Sequence, residues 1–335
     1  DILGETAAEK FDNRLPYLFK VLAAAKPLSI QAHPNRLQAE EGFERENKLG
    51  VPLNAPDRNY KDNNHKPECI CAVTHFWGLN GFRKISDILL LSEKICLKGL
   101  EKELHELRHN PNPQGLRIFF KSVMTLIPEK KKEIISYAAE QAEKFSDDPV
   151  FEWIIRLYHE YPSDIGVLSP LWLNLICLKP GEAMFLPPGS LHAYLDGVGI
   201  ELMANSDNVL RGGLTPKHVD VSELLRVLNF ESGDINILLP EKISGYERVY
   251  KTPAEEFVLS VININDKAEF FNKSAEILLC TEGKGIIQSC SHASRGNRGN
   301  HSVDISKGSS VIIPAAASGY LIHGNNLTLY KASVP

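Results

Sequence analysis

No stretch of this 335-residue chain stays apolar for long. The longest hydrophobic runs are interrupted by Lys, Glu or Pro within a few residues, short of the ~20 needed to cross a bilayer, so no membrane span is expected. Positive charge is not in surplus either. With 37 Lys and Arg against 42 Asp and Glu, the formal net charge is −5, which argues against the clustered basic surface that nucleic acid or an anionic membrane requires. Cysteine is scarce. Cys69, Cys71, Cys96, Cys177, Cys280 and Cys290 are too few to staple a chain of this length, and most lie inside apolar runs, as buried thiols do in a reducing compartment. A cytoplasmic protein with a small-molecule partner is the expectation. The chain begins with Asp1 and not Met, so a leader or further N-terminal residues are expected ahead of it.

What is present is ordinary globular material, 43% hydrophobic and 24% charged, with length for two or three domains. The first 81 residues read as one or two short helical turns and then two strands, "PLSIQAHP" and "PECICAVTHFWGL". A long polar loop rich in Asn, Asp and Pro joins them, of a length that in compact domains serves a site. From Phe82 to about Pro162 apolar residues recur at threes and fours in "SDILLLSEK", "LEKELHEL", "GLRIFFKSVMTLI", "KKEIISYAAEQAEKF" and "PVFEWIIRLYHEY". Ser86 and Asp148 are the expected caps, and Pro149 the first helical residue of its run. From Ile165 onward short strands and tight turns dominate, as in sandwiches and barrels.

Within that region "PGEAMFLPPGSLHAY" (180–194) and "KGSSVIIPAAASGY" (307–320) echo one another. Each has a glycine, a strand and a proline six residues on, Gly181 to Pro187 and Gly308 to Pro314. Five residues past each proline stand His192 and Gly319, so two related β domains are expected, of which only the first keeps a ligand.

In "PLSIQAHPN" (27–35), apolar Leu28, Ile30 and Ala32 alternate with Ser29, Gln31 and His33, which puts three polar groups on one strand face. Gln31 and His33, with Glu68 of "HKPE" and His192 of "PPGSLHAY", offer two nitrogens and two oxygens, a set that zinc accepts although an amide oxygen is an uncommon ligand. One carboxylate against a dication leaves the site at about plus one, which favours an anionic intermediate. A lone strand histidine is more often hydrogen-bonded structure than a ligand; the pairing of Gln31 with His33 on one face is what raises the metal reading. "HKPECICAVTH" offers a competing set in His65, Cys69, Cys71 and His75. Alternation sets Cys69, Cys71 and Val73 opposite Glu68, Ile70 and Ala72, so these thiols are expected in a core.

"LSIQAHPN", "NYKDNNHKPE" and "GEAMFLPPGSLHAYLDGVGIELMANSDNVLRGGLTPKHVD" together resemble the zinc-dependent (type I) mannose-6-phosphate isomerases, in order and spacing through most of the chain. The resemblance implies a mainly β fold: a cupin-type jelly-roll catalytic domain (1–81 and 163–232), an α-helical insertion (82–162) and a second cupin-like β domain without metal (233–335). It implies that Gln31, His33, Glu68 and His192 hold one zinc ion per chain, and it sets Arg211 on the family's active-site arginine. The family's pattern begins several tens of residues earlier, with a Trp-Gly motif and a further Ala-His-Pro segment. The first strands of the catalytic jelly roll are therefore expected outside this chain. The Arg- and Gly-rich loop "SCSHASRGNRGN" (289–300) departs from the family and is expected to affect no chemistry.

Interconverting an aldose and a ketose moves a proton between C1 and C2 through an enediol, so the reaction needs a base, an electrophile and a phosphate anchor. Lys66 shares the face of Glu68 if the segment is extended, and a lysine beside a cation is pushed toward the neutral form a base requires. Glu201, between Ile200 and Leu202, faces the polar side of its strand and is the second candidate, while His65 is a candidate for protonating oxygen. Ser29, Lys217 and Lys20 are candidates for the phosphate, beside Arg211, whose planar fork suits an oxyanion. Two other readings stay open: a cupin-type Fe(II) oxygenase using the two-His one-Glu set, and a non-catalytic sugar-phosphate-binding cupin. The expected partner is a sugar phosphate, with no nucleic acid and no membrane, and the chain is expected to act as a monomer.

Overall fold

The computed structural model describes residues 2–289 and 302–335; Cys290 and nearly all of the 289–300 loop lie outside the described residues. The first sheet comprises β1 (Tyr17–Ala24), β2 (Ile30–Ala32), β3 (Glu68–Ala72), β4 (Phe76–Phe82), β5 (Leu173–Leu178), β6 (Ala183–Leu186), β7 (His192–Ala204), β8 (Leu210–Gly213) and β9 (Ile237–Leu238). The second comprises β10 (Glu241–Lys242), β11 (Glu247–Tyr250), β12 (Val258–Ile264), β13 (Lys267–Phe270), β14 (Glu276–Ser289), β15 (Ser302–Ser306), β16 (Ser310–Ile313) and β17 (Tyr320–Ser333). The mainly β architecture expected from the strand pattern is therefore present, as two antiparallel sheets.

The long β7 organises the first sheet. Its first residues pair with β2 and β4, Gln31 and Asn80 both opposite His192, whereas its far end pairs with β1 and β3, Lys20 opposite Glu201 and Glu68 opposite Met203. The strand changes partners at Gly197, whose φ of 114° favours glycine and where a Cβ would lie 2.4 Å from the His75 carbonyl oxygen. β9 pairs with β6, so the first sheet runs past the boundary expected at residue 232.

Between β4 and β5 come helices Ile85–Lys94, Glu101–His109, Pro113–Met124, Pro128–Ala142 and Pro149–Glu160. Their apolar stripes share one core with the sheet, where Phe119, Phe120, Phe151, Trp153 and Leu157 join Ile30, Leu79 and Phe82. Asp148 caps as expected, accepting from the Val150 N–H, with Pro149 in the first turn. Ser86 does not cap. The helix starts at Ile85, and the Ser86 hydroxyl, already in the first turn, reaches Asp87 instead.

Three features of the first 81 residues differ from expectation. Tyr17–Ala24 is a full strand because β7 gives it eight consecutive partners. The polar loop carries a helix, Arg36–Lys48, started by a reciprocal capping box of Asn35 and Gln38. It buries little beyond Ala39, Gly42 and Glu46, so it has almost no apolar period. "PECICAVTHFWGL" is two strands broken at residues 73–75.

The thiols of Cys69 and Cys71 are buried, as alternation required, in a core shared by the two sheets with Tyr17, Ile200 and Leu202 on one side and Tyr250, Leu259 and Tyr330 on the other. Burial holds the Cys69 thiol well above its usual range. His75 is exposed and His65 turns to Glu256, so the competing His/Cys set does not converge.

Candidate metal centre and active site

Four strands bring the site together. Gln31 of β2 lies opposite both His192 of β7 and Arg211 of β8, and directly opposed residues project to the same face. His33 follows Gln31 by two residues just past the end of β2, and Glu68 opens β3. His33, Glu68 and His192 are each 2% exposed or less, and one ligand atom from each lies within 4.8 Å of the others.

The tautomers of the two histidines follow from their anchors. His33 Nδ1 is 2.6 Å from the Asn208 carbonyl oxygen and His192 Nδ1 is 3.0 Å from that of Ser190. A carbonyl only accepts, so both Nδ1 atoms carry the hydrogen and both Nε2 atoms present lone pairs. Those lone pairs face the Glu68 carboxylate, His33 Nε2 at 3.2 Å from Oε1 and His192 Nε2 at 3.3 Å from Oε2, and neither Nε2 has a hydrogen-bond partner. Buried acceptors facing acceptors call for a cation among them. The donor set fits zinc, with each imidazole oriented through its other nitrogen in the manner of metal-ligating histidines.

Electrostatics agree. Burial holds the His33 imidazole below its usual pKa against the pull of Glu68, which keeps it neutral and able to ligate. Burial opposes ionisation of Glu68, yet the carboxyl is held well below its usual range, with the Lys66 ammonium 3.2 Å away acting against burial.

Around this centre the sequence candidates divide. Lys66 joins it, its Nζ 3.2 Å from Glu68 Oε1 and the side chain 11% exposed. Glu201 lies on the same face of the sheet, 3.2 Å from Lys20 Nζ, and burial followed by the charge of Glu68 raises its pKa. Lys20 is half-exposed and has this carboxylate as its partner. Arg211 is half-buried, with no hydrogen-bond or ion-pair partner among the described residues. Ser29 is half-buried ahead of β2, and Lys217 is exposed in the loop after β8. His65 does not join the centre: its Nε2 lies 2.6 Å from Glu256 Oε1.

Three residues of the site escaped sequence reasoning. Tyr194 is buried with its hydroxyl 3.5 Å from Glu68 Oε2; its place two residues after His192, on the same face, was a usable signal. Asn80, buried opposite His192, accepts from the Ser190 hydroxyl at 2.7 Å. Asn208 is fully buried and grips the polar loop. Its Oδ1 accepts from the Lys61 N–H at 2.7 Å and its Nδ2 donates to the carbonyls of Asp62 and Asn64, both at 2.9 Å. The residue whose carbonyl orients His33 thus also fixes the approach to Lys66.

Comparison with known proteins agrees with this geometry. A family model described as phosphomannose isomerase type I, catalytic domain, matches residues 1–85. The mannose-6-phosphate isomerase of Escherichia coli (strain K12) is 39% identical over 328 residues, covering 97% of this chain and 80% of the relative. That of Homo sapiens is 35% identical over 309 residues, covering 85% and 71%. The crystal structure of mannose 6-phosphate isomerase from Salmonella typhimurium bound to its substrate, fructose 6-phosphate, and zinc superposes with a TM-score of 0.90 at 37% identity, covering 99% of this chain and 82% of that one.

Proposed function

Because the chain belongs to the type I mannose-6-phosphate isomerases, we infer that it is a zinc-dependent aldose-ketose isomerase interconverting mannose 6-phosphate and fructose 6-phosphate. The observation that carries the metal reading is the pair of buried, unpartnered Nε2 atoms facing the Glu68 carboxylate. His33, Glu68 and His192 would hold the ion, with Gln31 as the fourth ligand, supported by its place opposite His192. Bound zinc supplies an electrophile for the oxyanion that develops as the carbon-bound proton leaves.

The chain's own residues do the rest. Lys66 moves the proton between C1 and C2, with Glu201, held by Lys20, next in line. His65, outside the metal centre with its ring turned to Glu256, is the candidate for transferring a proton at a substrate oxygen through its other nitrogen. Arg211 clamps the phosphate or the enediolate, its free guanidinium on the ligand face supporting that role, and Ser29, Lys217 and Lys20 complete the phosphate anchor. The proposed catalytic unit is residues 1–81 and 163–232, its sheet extended by β9, interrupted by the helices and followed by a β domain proposed to take no metal.

A cytoplasmic monomer is the accompanying proposal. The five described cysteines are free, as expected of a reducing compartment. Metal analysis alongside an isomerase assay on mannose 6-phosphate tests the function: one zinc per chain, and activity lost to a chelator and restored by zinc, are expected. Iron with oxygen uptake, or tight sugar-phosphate binding without turnover, would overturn it.

A further inference from the structure

We propose that Glu256, in the segment leading into β12, is a positioning residue that reaches across the junction between the sheets to set the tautomer of His65. The inference rests on the reading of His65 as an oxygen-side proton carrier. Glu256 is 2% exposed and borders a cleft of about 290 Å³ shared with Arg36, His65, Pro67 and Pro187. Its Oε1 lies 2.6 Å from His65 Nε2 and 3.1 Å from Arg36 Nη2. Burial opposes ionisation of this carboxyl, and His65 and then Arg36 reverse that and hold it below the usual range, so it stands as an acceptor.

A carboxylate oxygen that only accepts, at that distance, requires the hydrogen on Nε2. Arg36 Nη2 is also 3.1 Å from His65 Nε2, but two donors cannot bond each other, so the arginine hydrogen goes to Glu256. The lone pair is left on Nδ1, which has no hydrogen-bond partner among the described residues. The His65 backbone is held separately, its N–H donating to Asn64 Oδ1 at 3.0 Å. The ring is thus fixed from the loop between β11 and β12 and the backbone by its neighbour Asn64, one residue before Lys66. Glu256 Oε2 is buried without a partner, an uncompensated acceptor that a contact serving packing alone would avoid.

The test is a double-mutant cycle with nitrogen-15 spectroscopy of the His65 ring. The Nε2–H form is expected in the unmodified protein, and a mixed tautomer in Glu256→Ala. Turnover of Glu256→Ala should fall about ten-fold or more, with zinc content, KM and Tm little changed, and Glu256→Gln, whose amide oxygen still accepts, should restore most of it. In a His65→Ala background, Glu256→Ala should cost nothing further, because it acts through the ring. Additive losses, loss of turnover accompanied by loss of zinc or of Tm, or an unchanged tautomer in Glu256→Ala would each overturn the proposal. If His65→Ala alone keeps full turnover in a zinc-loaded, active enzyme, the role given to His65 fails and the proposal with it, while the isomerase reading stands.

Discussion

The two sheets seat a glutamate at the same place and surround it with opposite chemistry. Glu68 and Glu276 are each the first residue of a strand, each paired with the residue just before the echoed proline, Leu186 before Pro187 and Ile313 before Pro314. The glycines that start the echo share a left-handed turn, φ 86° at Gly181 and 91° at Gly308. Around Glu68 stand two imidazoles with inward lone pairs. Around Glu276 stand two donors, the Tyr320 hydroxyl at 2.6 Å and Lys331 Nζ at 3.4 Å. Gly319 takes the place of His192, and continuing the pairing of β13 with β17 sets Phe271 where Gln31 stands. A buried carboxylate must find positive charge. The second sheet answers with donors alone, whereas the first sets two inward lone pairs beside the Lys66 ammonium, 3.2 Å from Glu68 Oε1, and leaves further charge to be imported.

The largest expected effect is loss of that imported charge. His192→Ala should remove zinc and activity together, turnover dropping by roughly a thousand-fold or more, because three remaining ligands and a water bind far more weakly. Stoichiometric zinc retained by this variant, measured by metal analysis, would contradict the assignment. Lys66→Met comes next. It should keep zinc and substrate affinity but lower turnover by roughly two to four orders of magnitude, the range of a lost acid or base. Exchange of the C2 hydrogen of mannose 6-phosphate with solvent should fall in step. Exchange that survives while isomerisation stops would pass the carbon proton to Glu201 and leave Lys66 the oxygen side.

Arg211→Lys should cost roughly ten- to a hundred-fold in kcat/KM, since a point charge replaces two parallel hydrogen bonds on a planar fork. Activity within two-fold of the unmodified enzyme would place Arg211 outside the substrate's reach.

The contrast between the sheets also marks what could be read from the sequence. Alternation sufficed for Gln31 with His33 and for the separation of Glu68 from Cys69 and Cys71, since strand faces follow from local order. The glycine–strand–proline echo located the second sheet for the same reason. Helices of the insertion were legible from their apolar period, whereas Arg36–Lys48 was not, because a helix that packs so little against a core carries no stripe. Asn208 and Glu256 act over long separations, Asn208 on loop residues some 146 positions away and Glu256 on His65 at 191. No local pattern encodes a contact that the fold creates. Ser86 shows the converse: a residue type suited to capping lies two positions past the cap when the first turn is set by Ile85 packing into the core.

The smallest effect is the sharpest test of the comparison, because one substitution is made at both seats. Glu68→Gln removes the only formal negative charge among the ligands and should cost zinc and activity as His192→Ala does. Glu276→Gln should leave both untouched. Burial raises the pKa of Glu276 above its usual range, with Lys331 pulling the other way and not prevailing. A carboxyl whose folded pKa lies above its unfolded one contributes most stability below the unfolded value, about 4.5, and loses it as pH rises through the folded pKa. At pH 7 the ionised form is the costly one, and glutamine mimics the protonated acid while still accepting from the Tyr320 hydroxyl. Lys331 keeps Glu247 at 2.8 Å. Glu276→Gln should therefore raise Tm by about 1–3 °C at pH 7, a gain that shrinks below pH 4.5 where the unmodified protein is already protonated. A fall in Tm at pH 7 would mean that the ionised pair with Lys331 is net stabilising, and that the second seat, like the first, depends on its charge.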